Sequence, residues 1–159
     1  MLIQFGHNDS HAPENREATD PATDYQEYLR KYIDETRAAG ATPVLVTPMV
    51  RRTFDDAGKF SEAPAGRNRP LGSYAAAMRN VGQEKKVPVI DLYASSMALA
   101  AKLGPVASAE FANKTGDNTH FNEKGARAMA DLVMRELPEA APDLAKLLKP
   151  GGAATEGKR

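Results

Sequence analysis

Three short apolar runs, Leu2-Ile3-Gln4-Phe5, Thr42-Pro43-Val44-Leu45-Val46-Thr47-Pro48 and Val87-Pro88-Val89-Ile90-Asp91-Leu92, alternate with segments whose apolar residues recur at helical spacing. No other feature of the chain restricts its fold as much. A continuously apolar strand must be covered on both faces, and a helix inserted between successive strands makes those strands run parallel. The expected fold class is α/β, with a parallel sheet and right-handed crossovers. Strands are expected near residues 2–5, 43–47 and 88–91.

Tyr25, Tyr28, Leu29, Tyr32, Ile33 and Thr36 share one helical stripe, so a helix is expected from about Asp24 to Ala39, stopped by Gly40. Thr23-Asp24-Tyr25-Gln26 has the form of a capping box at its start. A second helix is expected over 73–85, with Tyr74, Met78 and Val81 on one face. A third runs over 92–103 and is stopped by Gly104-Pro105, leaving 105–119 as loop. Asn122 is a good N-cap for a fourth helix that Pro138 closes, and Asp143 to Leu148 suit a last short one. Residues 51–72 read as a long charged loop, of the kind that is either functional or disordered. The domain is expected to span 1–150, with 151–159 as a disordered polar tail.

The formal net charge is zero, which gives no electrostatic reason to expect nucleic acid or an anionic membrane as partner. No apolar run approaches the roughly 20 residues of a membrane span. Without cysteine there is no disulfide framework and no thiolate chemistry. Met1 leads directly into a core-like strand without the basic and small-residue flanks of an export signal, and the compartment is left open.

In parallel sheets, ligands sit at the carboxyl ends of the strands. Gly6-His7-Asn8-Asp9 follows the first strand, and Asp117-Asn118-Thr119-His120 follows the last crossover helix and can reach the same edge. An acid and a histidine three apart on a short loop let the carboxylate accept Nδ1–H and leave Nε2 as a general base. Asn8 offers an amide donor to an oxyanion, an effect worth about 3 kcal/mol of barrier. Together these groups suit acyl transfer, which also requires a nucleophile. The blander alternatives are a capping turn with a solvated histidine and an ordinary Asn-Asp turn after a strand.

Ile3 through Asp9 resembles the G-x-N-D block of the SGNH (GDSL-type) hydrolases, and Asp117-Asn118-Thr119-His120 resembles their D-x-x-H block. The wording of Gln4 to Asp9 and of Asp117 to Ala126 is similar to the rhamnogalacturonan acetylesterase branch in particular. The resemblance spans residues 1 to about 138, in the family's order. It implies a flavodoxin-like three-layer parallel sheet, here N-terminally truncated to about three strands. By the same resemblance His120 is the general base, Asp117 its partner and Asn8 an oxyanion-hole donor, with Gly6 and His7 beside the substrate. The implied reaction is removal of an O-acetyl group from a pectic or related polysaccharide, or from a small acyl ester, without cofactor. Full-length relatives are expected to be secreted or periplasmic.

The family's Gly-Asp-Ser block, which carries the nucleophile, does not occur among the 159 residues. Ser10 stands at a loop position and is a poor substitute, and Ser61, Ser73, Ser95, Ser96 and Ser108 lack a strand-to-turn context. A truncated, non-catalytic module that binds a glycan or a partner chain is therefore an alternative. Another is a metal site: His7, Asp9 and His11, spaced by two, share one face of an extended segment and offer ligands to zinc. Arg51 and Arg52 either pair with carboxylates of a uronic-acid polymer or form a solvated basic pair. Strand 2–5, lacking a neighbour on one side, is expected to promote self-association.

Overall fold

The computed structural model describes residues 1–15, 17–62 and 68–148. Strands β1 (Leu2–Ile3), β2 (Val44–Val46) and β3 (Val89–Ile90) form a parallel sheet in the order β1-β2-β3. Leu2 pairs with Val44 and Ile3 with Leu45, while Leu45 pairs with Val89 and Val46 with Ile90. Around the sheet lie α1 (Asp24–Ala38), α2 (Leu71–Lys85), α3 (Leu92–Ala109), α4 (Glu123–Ala140) and the short α5 (Pro142–Ala145).

Side chains of β2 alternate between the two faces, as a strand requires. Leu45 packs with Ile3 against Tyr25, Leu29 and Ile33 of α1 and Tyr74, Met78 and Val81 of α2. Val44 and Val46 face the opposite way, with Ile90, Leu92, and Met129, Leu132 and Leu137 of α4. These two clusters make three layers, helix on sheet on helix. Leu29, Ile33, Leu45 and Met78 are essentially inaccessible, and such burial contributes about 1.5–3 kcal/mol per side chain. The three parallel strands and the flavodoxin-like layering agree with the expectation, although each strand is shorter than its apolar run.

Several local expectations need correction. Thr23 occupies the N-cap of α1 without a side-chain cap, so the capping box does not form. Gln26 Nε2 donates instead to Pro21 O, and Asp24 Oδ1 accepts from the N–H groups of Asp20 and Tyr25. Gly104 does not end α3. It makes a kink at φ 67°, after which Pro105, well suited to the first helical position, opens another stretch to Ala109. The expected loop over 105–119 therefore begins later. Pro138 lies inside α4, because burial of Leu137 and Ala141 on either side of it outweighs one lost N–H bond. The last helix is Pro142–Ala145 instead of 143–148. Within the long loop Phe54 and Phe60 are bridged antiparallel and stacked edge-on at 6.2 Å. The tail at 151–159 lies outside the described residues. Among those described, no helix is long and apolar enough to cross a membrane.

Candidate active site

The Asp117–His120 loop hangs between two fixed points. Ala112 and Phe121 form a β-bridge, and Asn122 caps α4 through its side-chain oxygen, which accepts from Gly125 N at 3.0 Å. Gly125 is required there, since a Cβ would sit 2.8 Å from the carbonyl oxygen of Phe111. Within the loop, Asp117 Oδ1 accepts from Thr119 N at 2.9 Å and His120 N at 2.8 Å. Its Oδ2 lies 2.9 Å from His120 Nδ1. The backbone N–H groups of His120 and Thr119, followed by the His120 ring, hold the Asp117 carboxyl well below the usual carboxylate range. The carboxylate is thus an ionised acceptor for Nδ1–H. Asp117 is 8% exposed at its side chain and His120 is 75% exposed, so the acid is buried behind an accessible imidazole.

The turn after β1 is built around Asp9. Its carboxylate accepts from Gly6 N at 2.9 Å and from Thr19 Oγ1 at 3.0 Å, and its carbonyl accepts from Tyr74 Oη at 2.9 Å. Ser10 N bonds back to Gly6 O, and His11 N to Asn8 O. Asn8 is left exposed at the tip, and its side-chain amide has no partner among the described residues. Gly6 is buried at φ +134°, where a Cβ would meet Pro48 at 2.9 Å. Its expected place beside a substrate is corrected: its N–H serves Asp9, and glycine is there for close approach.

Burial and bonding decide three further readings. Arg51 and Arg52 are 7% and 8% exposed, so neither is free to meet a glycan carboxylate. Arg51 donates to Ser10 Oγ at 2.8 Å, and Arg52 donates to the carbonyls of Asp117 at 2.9 Å and His120 at 3.0 Å. Burial lowers the proton affinity of both guanidiniums, offset by Glu62 for Arg51 and by Asp117 for Arg52. The His7, Asp9, His11 metal reading fails because the segment turns instead of extending. Asp9 is consumed by the turn, and His11 Nδ1 lies 3.1 Å from Glu17. Among the described residues no group of three or more metal-ligating acids and histidines exists. Ser10, fully buried, donates its hydroxyl to His7 O at 2.7 Å while accepting from Arg51, which leaves it no nucleophilic role. Among the described residues no serine hydrogen bonds to His120.

His7 is the residue that joins the two loops electrostatically. Its pKa is lowered to about 4, first by burial and then by the positive charges of Arg51, His120 and His11. An unfolded histidine titrates near 6.5. Between those values the unfolded chain binds a proton that the folded chain refuses, so stability falls as pH drops from about 6.5 to about 4. The expected loss is on the order of 3 kcal/mol, from about two and a half units at about 1.4 kcal/mol each. Urea unfolding across this range should show the slope in the parent chain and a flattened one in His7→Gln. An equal slope in both would clear His7.

Both loops and the Arg51-Arg52 segment after β2 thus gather at the carboxyl ends of parallel strands, where α/β sheets of this kind place their catalytic groups. The fold is that of the SGNH hydrolases. The chain belongs to the GDSL-like lipase/acylhydrolase family, whose model matches residues 1–128. It is similar to the rhamnogalacturonan acetylesterase RhgT of Bacillus subtilis (strain 168), with 36% identity over 170 positions, covering 99% of this chain and 67% of that protein. The probable rhamnogalacturonan acetylesterase YesY of the same organism is 32% identical over 142 positions, covering 87% and 62%. Among solved structures, the crystal structure of YxiM from Bacillus subtilis matches with a TM-score of 0.66 at 28% identity, covering 87% of this chain and 36% of that one. The chain therefore spans about two thirds of the length of RhgT and somewhat less of YesY.

Proposed function

We propose that this chain carries the acid–base half of a carbohydrate acetylesterase site, acting on O-acetyl groups of a pectic or related polysaccharide. The carrying observation is the 2.9 Å contact from Asp117 Oδ2 to His120 Nδ1, with the imidazole accessible and Nε2 uncommitted. The substrate class rests on similarity to RhgT and YesY. In this reading a serine hydroxyl from a Gly-Asp-Ser segment, absent from these 159 residues, attacks the acetyl carbonyl while His120 Nε2 takes its proton. Asn8 Nδ2 donates to the oxyanion. Collapse of the intermediate expels the sugar alkoxide, which takes the proton from His120, and water then releases acetate by the same route.

The test uses the chain joined to the nucleophile-bearing first strand of a longer family member. Acetate release from acetylated pectic fragments should exceed that from deacetylated ones. Asn8→Ala should lower kcat by about 10²–10³-fold with KM little changed, since an oxyanion donor acts on the transition state. Unaltered kcat would remove Asn8 from that role. The absence of a serine bonded to His120 favours a second reading for the isolated chain, a module that binds glycan without hydrolysing it. Glycan binding without acetate release, in the joined form as well, would select it.

A further inference from the structure

We propose that Arg52 is the positioning residue of the Asp117–His120 pair, an assignment that rests on the acid–base reading above. Its side chain is 8% exposed and comes from the loop after β2, 65 residues away from Asp117 in the chain. Nη2 donates to both Asp117 O and His120 O, the carbonyls that bracket the loop. The backbone N–H of Arg52 donates to Asn118 O at 2.8 Å, and the guanidinium lies over the Phe121 ring at 4.3 Å. Every peptide carbonyl from Asp117 to His120 except that of Thr119 is thus bound to this one residue.

Pinning those peptide planes sets where the Asp117 carboxylate and the His120 ring begin. The two rotatable side chains can then meet at one geometry. Packing alone would not select arginine here. Burying a guanidinium costs free energy that carbonyl partners only partly return, and Nη1 is buried with no partner among the described residues. An apolar side chain would fill the same space without that orphan donor. Lysine is no equivalent, because its ammonium lacks the planar fork that holds the carbonyls while stacking on an aromatic face. Arg51, the next residue back, serves the other loop through Ser10 and His7 O, and among the described residues it has no hydrogen bond to the pair.

The chain has three histidines, so the nitrogen-15 imidazole spectrum of the 159-residue chain resolves His120 individually. With Arg52 in place, His120 should carry its proton on Nδ1, with Nε2 bare. Arg52→Met should convert this to a mixture of tautomers in folded protein, while Arg51→Gln should leave the Nδ1–H form dominant. Arg52→Lys should fall between, and it decides the matter should Arg52→Met fail to fold. The proposal is overturned if Arg52→Met, or Arg52→Lys in its stead, keeps the parent tautomer. It is overturned equally if Arg51→Gln scrambles the tautomer as much as the Arg52 variants do, since the effect would then be general loosening. A parent chain lacking Nδ1–H would instead sink the acid–base reading, and this proposal with it.

Discussion

His120→Ala, made in the chain joined to a nucleophile-bearing strand, is expected to lower kcat for acetyl ester hydrolysis by about 10⁴-fold or more. The side chain is 75% exposed and its Nε2 carries no hydrogen bond among the described residues, so its loss disturbs little of the fold. What disappears is the base that accepts the serine proton and later returns it to the leaving group. KM should change far less than kcat, because the imidazole does little for ground-state binding. Asp117→Asn should produce a loss of similar order for a different reason. The amide would present a donor toward Nδ1 and favour the wrong tautomer. Steady-state kinetics on both variants check the assignment, and turnover within a few-fold of the parent would strike the altered residue from the machinery.

The second large effect expected is a gain. In the three-stranded sheet β1 has a partner on one side only. Beside its open edge Leu2 is 51% exposed, Phe5 39%, Tyr28 49% and Tyr32 40%, with Phe5 and Tyr32 stacked at 4.8 Å. A groove of about 290 Å³ lined by Phe5, Asp9, Tyr25, Tyr28, Leu29 and Tyr32 continues this surface. Unpaired strand edges with apolar flanks recruit another chain. The 159-residue chain should therefore self-associate in sedimentation. Its hydrolysis of p-nitrophenyl acetate should not exceed that of its His120→Ala variant. Adding the parallel strand in cis should yield a monomer and raise turnover by several orders of magnitude. A monomeric 159-residue chain, verified by mass, that hydrolyses acetyl esters rapidly would defeat this account, and another hydroxyl would have to be the nucleophile.

What the sequence determined by itself was whatever depends on near neighbours. Apolar runs of strand length separated by helical stripes require parallel strands and covering helices, and Ile3, Leu45 and Ile90 are buried accordingly. The Asp117–His120 contact was legible for the same reason. An acid and a histidine three apart on one turn meet through their own backbone, with Thr119 N and His120 N closing on the carboxylate. Asn8, exposed at the tip of the turn after β1, was likewise readable from its place after a strand.

The tertiary structure alone decided what lies beneath those groups. Nothing local distinguishes a solvated Arg51-Arg52 pair from a buried one, because the oxygens that accept their guanidinium hydrogen bonds belong to residues 41 and 65 positions away. Asp9 offered itself as one metal ligand among alternatives until Thr19 and the Gly6 N–H took its oxygens, and the poor prospects of Ser10 found their physical cause only when Arg51 and His7 O took its hydroxyl. The course of α3 past Gly104 and of α4 past Pro138 was settled by buried neighbours such as Ser108 and Leu137, not by the breaker itself. A residue's own propensity fixes what it can do. Where a charge, a hydroxyl or a proline finds its compensation is set by chain segments that only the folded sheet brings together.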